Sequence, residues 1–209
     1  MRLAPSSGIA KRPVCLYITH SMRQRNAKNR ILETASKLFS ERGFLSVGIN
    51  EIIEKSETAK ASFYHHFKSK DLLCAAWLHE MHKRSEKNHD AILQKDGSAE
   101  KKLGSYFSEL KEWLTHNDFK GCPYTNTAAV LDSGNPEIRA EIESHKLFIR
   151  DFFIELACTV AKGSQARSIG NTWFILYSGA TNESQNLRAT WPVDAALEAA
   201  LKLIPKDSI

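Results

Sequence analysis

The densest group of chemically capable side chains lies between Thr58 and Leu73, in TAKASFYHHFKSKDLL. Lys60, Tyr64 and His65 place a cation and hydrogen-bonding rings on barely two helical turns, interleaved with the small residues Ala59, Ala61 and Ser62, before a helix restarts after Lys68-Ser69. Phe63 and Phe67 stand four apart, so they share one face of a helix and can be buried together. Lys60, Ser62, Tyr64 and His65 are then left outside. Ammonium and imidazole N–H groups donate to phosphates or base edges. A tyrosine offers its hydroxyl to a phosphate and its ring to a thymine methyl. Two alanines let such a helix approach closely. This mixture fits a short rod lying in the major groove of DNA. Lys70, at the start of the next helix, adds charge beside free backbone N–H groups, and both suit a phosphate. The competing reading is a three-helix core element with a polar rim.

A second chemical feature is KGCPYTN, where Cys122 precedes Pro123. A thiol at a helix start meets free N–H groups and the positive end of the helix dipole, which favour the thiolate. Cys122 therefore reads either as a redox or electrophile sensor or as a small residue packing a helix end. Five histidines cluster between His65 and His89. His79 and His82 are three apart, which is not the zinc-protease spacing, and exposed polar filler competes with any ligand role. The aromatics Trp77, Phe107, Trp113, Tyr124, Phe148, Trp173 and Tyr177 are candidates to line a pocket or to fill a core. No G-x-S-x-G, phosphate-binding loop, dinucleotide fingerprint or credible metal set is present, so neither catalytic residues nor a cofactor or metal is expected.

Helices must position these groups. Ile31, Ala35, Leu38 and Phe39 recur on one helical face, and Gly43 stops that helix with Phe44 just beyond. Ile49, Ile52 and Ile53 predict a short second helix, with Glu51 and Glu54 facing water. A turn at Ser56-Glu57 leads to a third helix over about 59–67. Ser69 caps a fourth, with Asp71 in its first turn, and this helix runs towards Ile92. Leu103, Phe107, Leu110 and Leu114 mark a fifth. Pro123 opens a sixth, ending near Leu131. Asn135 is expected to cap a seventh, with Pro136 as its first residue, and Ile138, Ile142, Ile149, Phe152 and Phe153 follow. Ile169, Trp173, Leu176 and Ala180 mark an eighth, and Leu197, Ala200 and Leu201 a last one. No period-two strand pattern appears.

Charge is uneven. The first 30 residues hold seven Lys/Arg and no acid, while the other 179 hold 22 basic and 24 acidic residues. A basic amino end suits a polyanion, and equally describes a solvated tail. Residues 1–25 read as a basic, disordered extension, with Met22 a natural start for the folded part. The four cysteines are scattered without a C-x-x-C pair, which fits reduced thiols in the cytoplasm. No apolar run approaches the roughly 20 residues of a membrane span.

The segments NRILETASKLFSERGF and INEIIEKSETAKASFYHHFKSKDLL resemble the TetR family of transcriptional repressors. In that pattern a helix ends in Arg-Gly-Phe/Tyr, an Ile sits in the second helix, and Lys-Gly-Thr-Leu-Tyr-x-His-Phe-x-Ser-Lys-Glu follows. Arg42, Gly43, Phe44, Ile52, Lys60, Tyr64, His66, Phe67, Ser69, Lys70 and Asp71 occupy those places, over about a quarter of the chain. Three positions depart. Glu57 stands where the family has Gly, at a cost on the order of 1 kcal/mol if φ is positive there. Val47-Gly48 replaces the usual Thr/Ser, and Ala61 replaces Gly.

The resemblance implies an all-α chain. An N-terminal three-helix helix-turn-helix DNA-binding domain would span 26–72, and a larger helical effector-binding and dimerisation domain 73–209. It implies a double-stranded, palindromic operator contacted by Lys28, Gly48, Ile49, Asn50, Ala59, Lys60, Ala61, Ser62, Tyr64, His65 and Lys70. It also implies a homodimer through helices near 136–162 and 165–187, with broad apolar faces and Gly170 and Gly179 for close approach. A small-molecule effector would bind among Trp77, Phe107, Trp113, Cys122, Tyr124, Phe148, Trp173 and Tyr177. The resulting expectation is a cytoplasmic DNA-binding repressor released by a small molecule or electrophile. A helical protein-interaction module and a helical enzyme without a recognisable motif are the alternatives.

Overall fold

The computed structural model describes residues 15–132 and 134–206, with side chains from Ala27 onward. Among them lie nine helices and no strand: α1 (Cys15–Arg42), α2 (Ile49–Lys55), α3 (Lys60–His66), α4 (Lys70–Gln94), α5 (Ala99–His116), α6 (Pro123–Ala128), α7 (Pro136–Ala157), α8 (Gly163–Leu187) and α9 (Trp191–Leu201). The first helix begins at Cys15, upstream of the expected folded start; no glycine or proline interrupts 15–42, so a helix can propagate through it. The rest of the expected basic extension, residues 1–14, lies outside the described residues.

α1 buries Ala27, Ile31, Ala35, Leu38 and Phe39. It ends at Gly43, whose φ of +80° suits a residue without Cβ. The Gly43 N–H closes the last turn on the Phe39 carbonyl at 2.9 Å, and Phe44 folds back edge-on to Phe39 at 5.7 Å. α2 buries Ile52 and α3 buries Phe63 against this base. Glu51 is not simply solvated as expected, because the Arg42 guanidinium donates to both its oxygens at 2.6 and 3.1 Å. Together with Lys55, that contact lowers the Glu51 pKa. Ser69 caps α4 as predicted, its hydroxyl accepting from the Leu72 N–H at 3.1 Å.

The core under these three helices does not stop at residue 72. It continues through Leu73, Cys74, Trp77 and Leu78 of α4, and takes in Tyr124 from α6 and Ile138 from α7. Burial there pushes the Cys74 thiol up to about 12, which makes it a structural residue. A second core, with Leu103, Phe107, Phe153, Leu156 and Trp173 at its centre, joins α5, α7, α8 and α9. The Trp173 indole N–H is satisfied by the Ala200 carbonyl at 2.9 Å.

Asn135 does not cap α7 through its side chain. Its amide instead donates to the Asp71 carboxylate at 2.7 Å, tying the start of α7 to the first turn of α4. The apolar residues expected to face a second copy, among them Ile149, Phe152, Phe153 and Trp173, are spent inside the chain. Gly170 does permit close approach, but to Ile154 of the same chain. Leu147 and Ile175 remain exposed on the outer side of α7 and α8, and a Cβ on Gly179 would meet nothing within 4 Å.

Candidate nucleic-acid interface and ligand cavity

α3 is anchored by Phe63 and by Phe67 at its C-terminal end, both buried. That anchoring turns Ala59, Lys60, Ala61, Tyr64 and His65 to solvent, with Ser62 half-buried. Tyr64 is held edge-on against Phe63 at 5.3 Å, so its ring is oriented while 39% of the residue stays exposed. Gly48 and Asn50, at the start of α2, are also exposed, whereas Ile49 is half-buried against the core. Lys28 on α1 is exposed and close enough to α3 to help lower the His66 pKa, which burial and His65 depress more strongly.

The turn into α3 keeps the shape for which the family uses glycine. Glu57 has φ +50°. Arg30 of α1 stabilises it, its guanidinium donating to the carbonyls of Ser56 and Glu57, each at 3.0 Å. Gly48 starts α2 in extended conformation with no side-chain cap, the contact that a Thr or Ser nearby would supply.

Lys70 departs from its expected role. Its ammonium points inward, donating to the carbonyls of Phe44 at 3.1 Å and Val47 at 3.2 Å, and sits 4.4 Å from the centroid of the Phe44 ring. These bonds join the loop after α1 to α4, and a side chain so engaged is not free to reach a phosphate.

Behind this unit, α4, α5, α6, α7 and α8 enclose a cavity of about 420 Å³. Of the eight residues expected at an effector site, Trp113, Cys122, Tyr124 and Tyr177 line it. The other four do not. Trp77 packs on Phe39 at 5.4 Å, while Phe107 and Trp173 lie at the centre of the second core. Phe148 stacks edge-on to His82 and His89 behind the cavity wall. Trp77, Phe107 and Trp173 are buried among other helices and have no surface left for a ligand, whereas Phe148 is half-buried and faces away from this cavity's lining.

The cavity walls are held in place by hydrogen bonds. The Tyr124 hydroxyl donates to the Leu78 carbonyl of α4 at 2.8 Å, and its ring stacks on His145 at 3.6 Å. His145 and His82 share a proton between their Nδ1 atoms at 3.2 Å, so one donates and the other accepts. Burial, then the neighbouring His82, Lys146 and His89, push His145 down to about 3. His89 Nε2 and the Tyr106 hydroxyl are 2.7 Å apart, and burial lowers the His89 pKa and raises that of Tyr106. His79 and His82 do not converge: His79 is exposed beside Glu141, while His82 is buried.

Cys122 is half-buried in the wall, with the Lys146 ammonium 3.7 Å from its Sγ and 3.0 Å from the Thr125 hydroxyl. α6 has only six residues, so its dipole is small, and Lys146 is the positive group in contact with the sulfur. Sequence reasoning missed His145, Lys146 and Arg84. His145 had a visible signal: it falls on the apolar stripe of α7 between Ile138 and Ile149, where an imidazole needs a buried partner.

Residues 31–76 match the family described as bacterial regulatory proteins, tetR family. The chain is 24% identical over 122 residues to the HTH-type transcriptional repressor NemR of Escherichia coli strain K12, covering 57% of this chain and 61% of that protein. It is 27% identical over 123 residues to the HTH-type transcriptional repressor DhaR of Mycobacterium sp. strain GP1, covering 58% and 60%. These matches thus span about three-fifths of the curated relatives' length. Among solved structures, a TetR-family transcriptional regulator from Streptomyces coelicolor superposes with a TM-score of 0.75 at 24% identity, covering 87% of this chain and 95% of that one. The reduced form of E. coli NemR gives 0.73 at 20% identity, covering 88% and 100%. Residues 31–76, from α1 to the start of α4, thus match the helix-turn-helix segment of the tetR family of bacterial regulatory proteins, and the chain as a whole shares the all-helical fold of those solved regulators.

Proposed function

We propose that the protein is a transcriptional repressor that binds a palindromic operator as a homodimer and is released when a small molecule enters the cavity between α4 and α8. The observation that carries this reading is the outer face of α3. A helix rooted by Phe63 and Phe67 presents Lys60, Tyr64 and His65 to solvent, the donor and ring set suited to phosphates and base edges in a major groove. Lys28, Gly48, Asn50, Ala59, Ala61 and Ser62 flank that face. The exposed Leu147 and Ile175 offer the outer sides of α7 and α8 to a second copy. In such a dimer the two α3 helices would sit about one duplex turn, roughly 34 Å, apart.

Selection of bound duplexes from a random pool tests this directly, and the expected product is a palindrome. Lys60→Ala and Tyr64→Ala should each weaken binding to that duplex without lowering thermal stability. If both variants bind as tightly as the parent, α3 is not the reading element.

A second mode of release is favoured by one observation, the half-buried Cys122 thiol in the cavity wall beside Lys146. Alkylation of Cys122 would fill the cavity and loosen operator binding. Cys122→Ser should then resist N-ethylmaleimide; equal sensitivity of parent and variant would remove Cys122 from the mechanism.

A further inference from the structure

We infer that the cavity takes an aromatic monocarboxylate, its flat ring system held among tyrosine and tryptophan side chains and its carboxylate on Arg84. This deepens the proposed effector site and rests on that reading.

The shape and walls set the first half of the ligand. Tyr106, Trp113, Tyr124 and Tyr177 all line the cavity. Two of these rings are fixed before any ligand arrives: Tyr124 by its bond to the Leu78 carbonyl and its stacking on His145, and Tyr106 by His89. Rigid aromatic walls favour a rigid planar guest, because neither partner loses much rotamer freedom on binding. A volume of about 420 Å³ accommodates two fused rings with one small substituent. This is towards the small end of the range for ligand pockets, which begins at about 300 Å³.

The charges set the second half. α4 supplies the polar edge of the cavity through Arg84, Ser85 and Asn88, which lie within about one turn of each other on one side of the helix. Among the described residues no carboxylate lies within ion-pair distance of Arg84 or of Lys146, whose ammonium backs the Cys122 sulfur in the wall. The acid that lines the cavity, Glu109, is already engaged, accepting from the Asn88 amide at 3.0 Å and from Lys95 at 3.4 Å. The two nearby imidazoles, His89 and His145, are kept neutral by burial. The cavity therefore has an excess of positive charge beside aromatic walls. A guanidinium is the side chain best matched in shape to a carboxylate. An aromatic cation would meet Arg84 without an available counter-charge.

Titration calorimetry on the full chain tests this with three probes of equal size: 2-naphthoate, 2-naphthalenemethanol and 2-naphthylmethylammonium. Naphthoate should bind at least about five-fold more tightly than the alcohol, the scale of one partly exposed ion pair, and the ammonium most weakly. Arg84→Gln should bring the carboxylate down to the level of the alcohol. Arg84 is exposed, and a thermal melt of the variant verifies its fold. Equal affinities for the three probes, preference for the ammonium, or no binding of any would overturn the ligand class. Release of the selected operator duplex is measured on the same samples. Arg84-dependent naphthoate binding without release would overturn the effector reading and keep the ligand class. Tight duplex binding with no naphthoate preference would overturn the ligand class alone.

Discussion

Replacing Gly170 by Ala is a test of sign for the packing of α7 on α8. In an exposed helix, Gly→Ala is stabilising by about 1 kcal/mol, because alanine loses less backbone freedom on folding. At position 170 the added Cβ would lie 2.5 Å from the Ile154 Cα and 2.7 Å from its backbone N. Those atoms belong to the spine of α7 and cannot rotate away, so the two helices must separate by about an ångström. Overpacking of this kind typically costs about 1–3 kcal/mol, and a backbone obstacle places it at the upper end. The net expectation is a loss of about 1–2 kcal/mol, which lowers the melting temperature by roughly 2–8 °C for a chain of this size. Gly104→Ala is the matched control: it sits within α5, and its Cβ would meet nothing within 4 Å. It should gain up to about 1 kcal/mol. Circular-dichroism melts and urea titrations of both variants decide the matter. If Gly170→Ala is as stabilising as Gly104→Ala, the α7–α8 contact is looser than described and the reasoning fails.

Three further outcomes follow from named contacts. Lys70→Met should destabilise the protein by about 2 kcal/mol, since two loop carbonyls lose a charged donor; the salt dependence of operator binding should stay that of the parent, whereas Lys60→Ala should reduce the slope by about one. Glu57→Gly relieves the left-handed backbone at that turn, partly offset by greater freedom of the unfolded chain, so a gain of less than about 1 kcal/mol is expected in urea titration, and a loss would show that the Glu57 side chain matters. Stability should fall as pH drops from about 6.5 towards about 3, because burial depresses His145 to about 3 and so the unfolded chain binds the extra proton in that window. His89 is depressed in the same sense. His145→Leu should flatten the change between pH 7 and pH 5 by about 1 kcal/mol or more, and an unchanged slope would mean that the buried imidazole is not kept neutral.

The helix-turn-helix unit was legible in the residues because its determinants are local. The apolar spacing of Ile31, Ala35, Leu38 and Phe39, the stop at Gly43 and the cap at Ser69 each act within a few residues of chain. The direction of Phe63 and Phe67 then assigns Tyr64 and Lys60 to the outside without knowledge of any distant partner. The strain at Glu57 was visible for the same reason, although its stabiliser, Arg30, comes from 26–27 positions away and was not. What the tertiary structure decided are meetings between helices. Lys70 turned to the carbonyls of Phe44 and Val47, Asn135 to Asp71, and His145 to His82 and Tyr124. Trp113, Cys122, Tyr124 and Tyr177 gathered round one cavity, while Phe107 and Trp173 disappeared into a core. Periodicity says which side of a helix is apolar. It does not say how two such sides rotate and cross, and those angles determine whether an aromatic or an imidazole meets a ligand, a partner or only its neighbours.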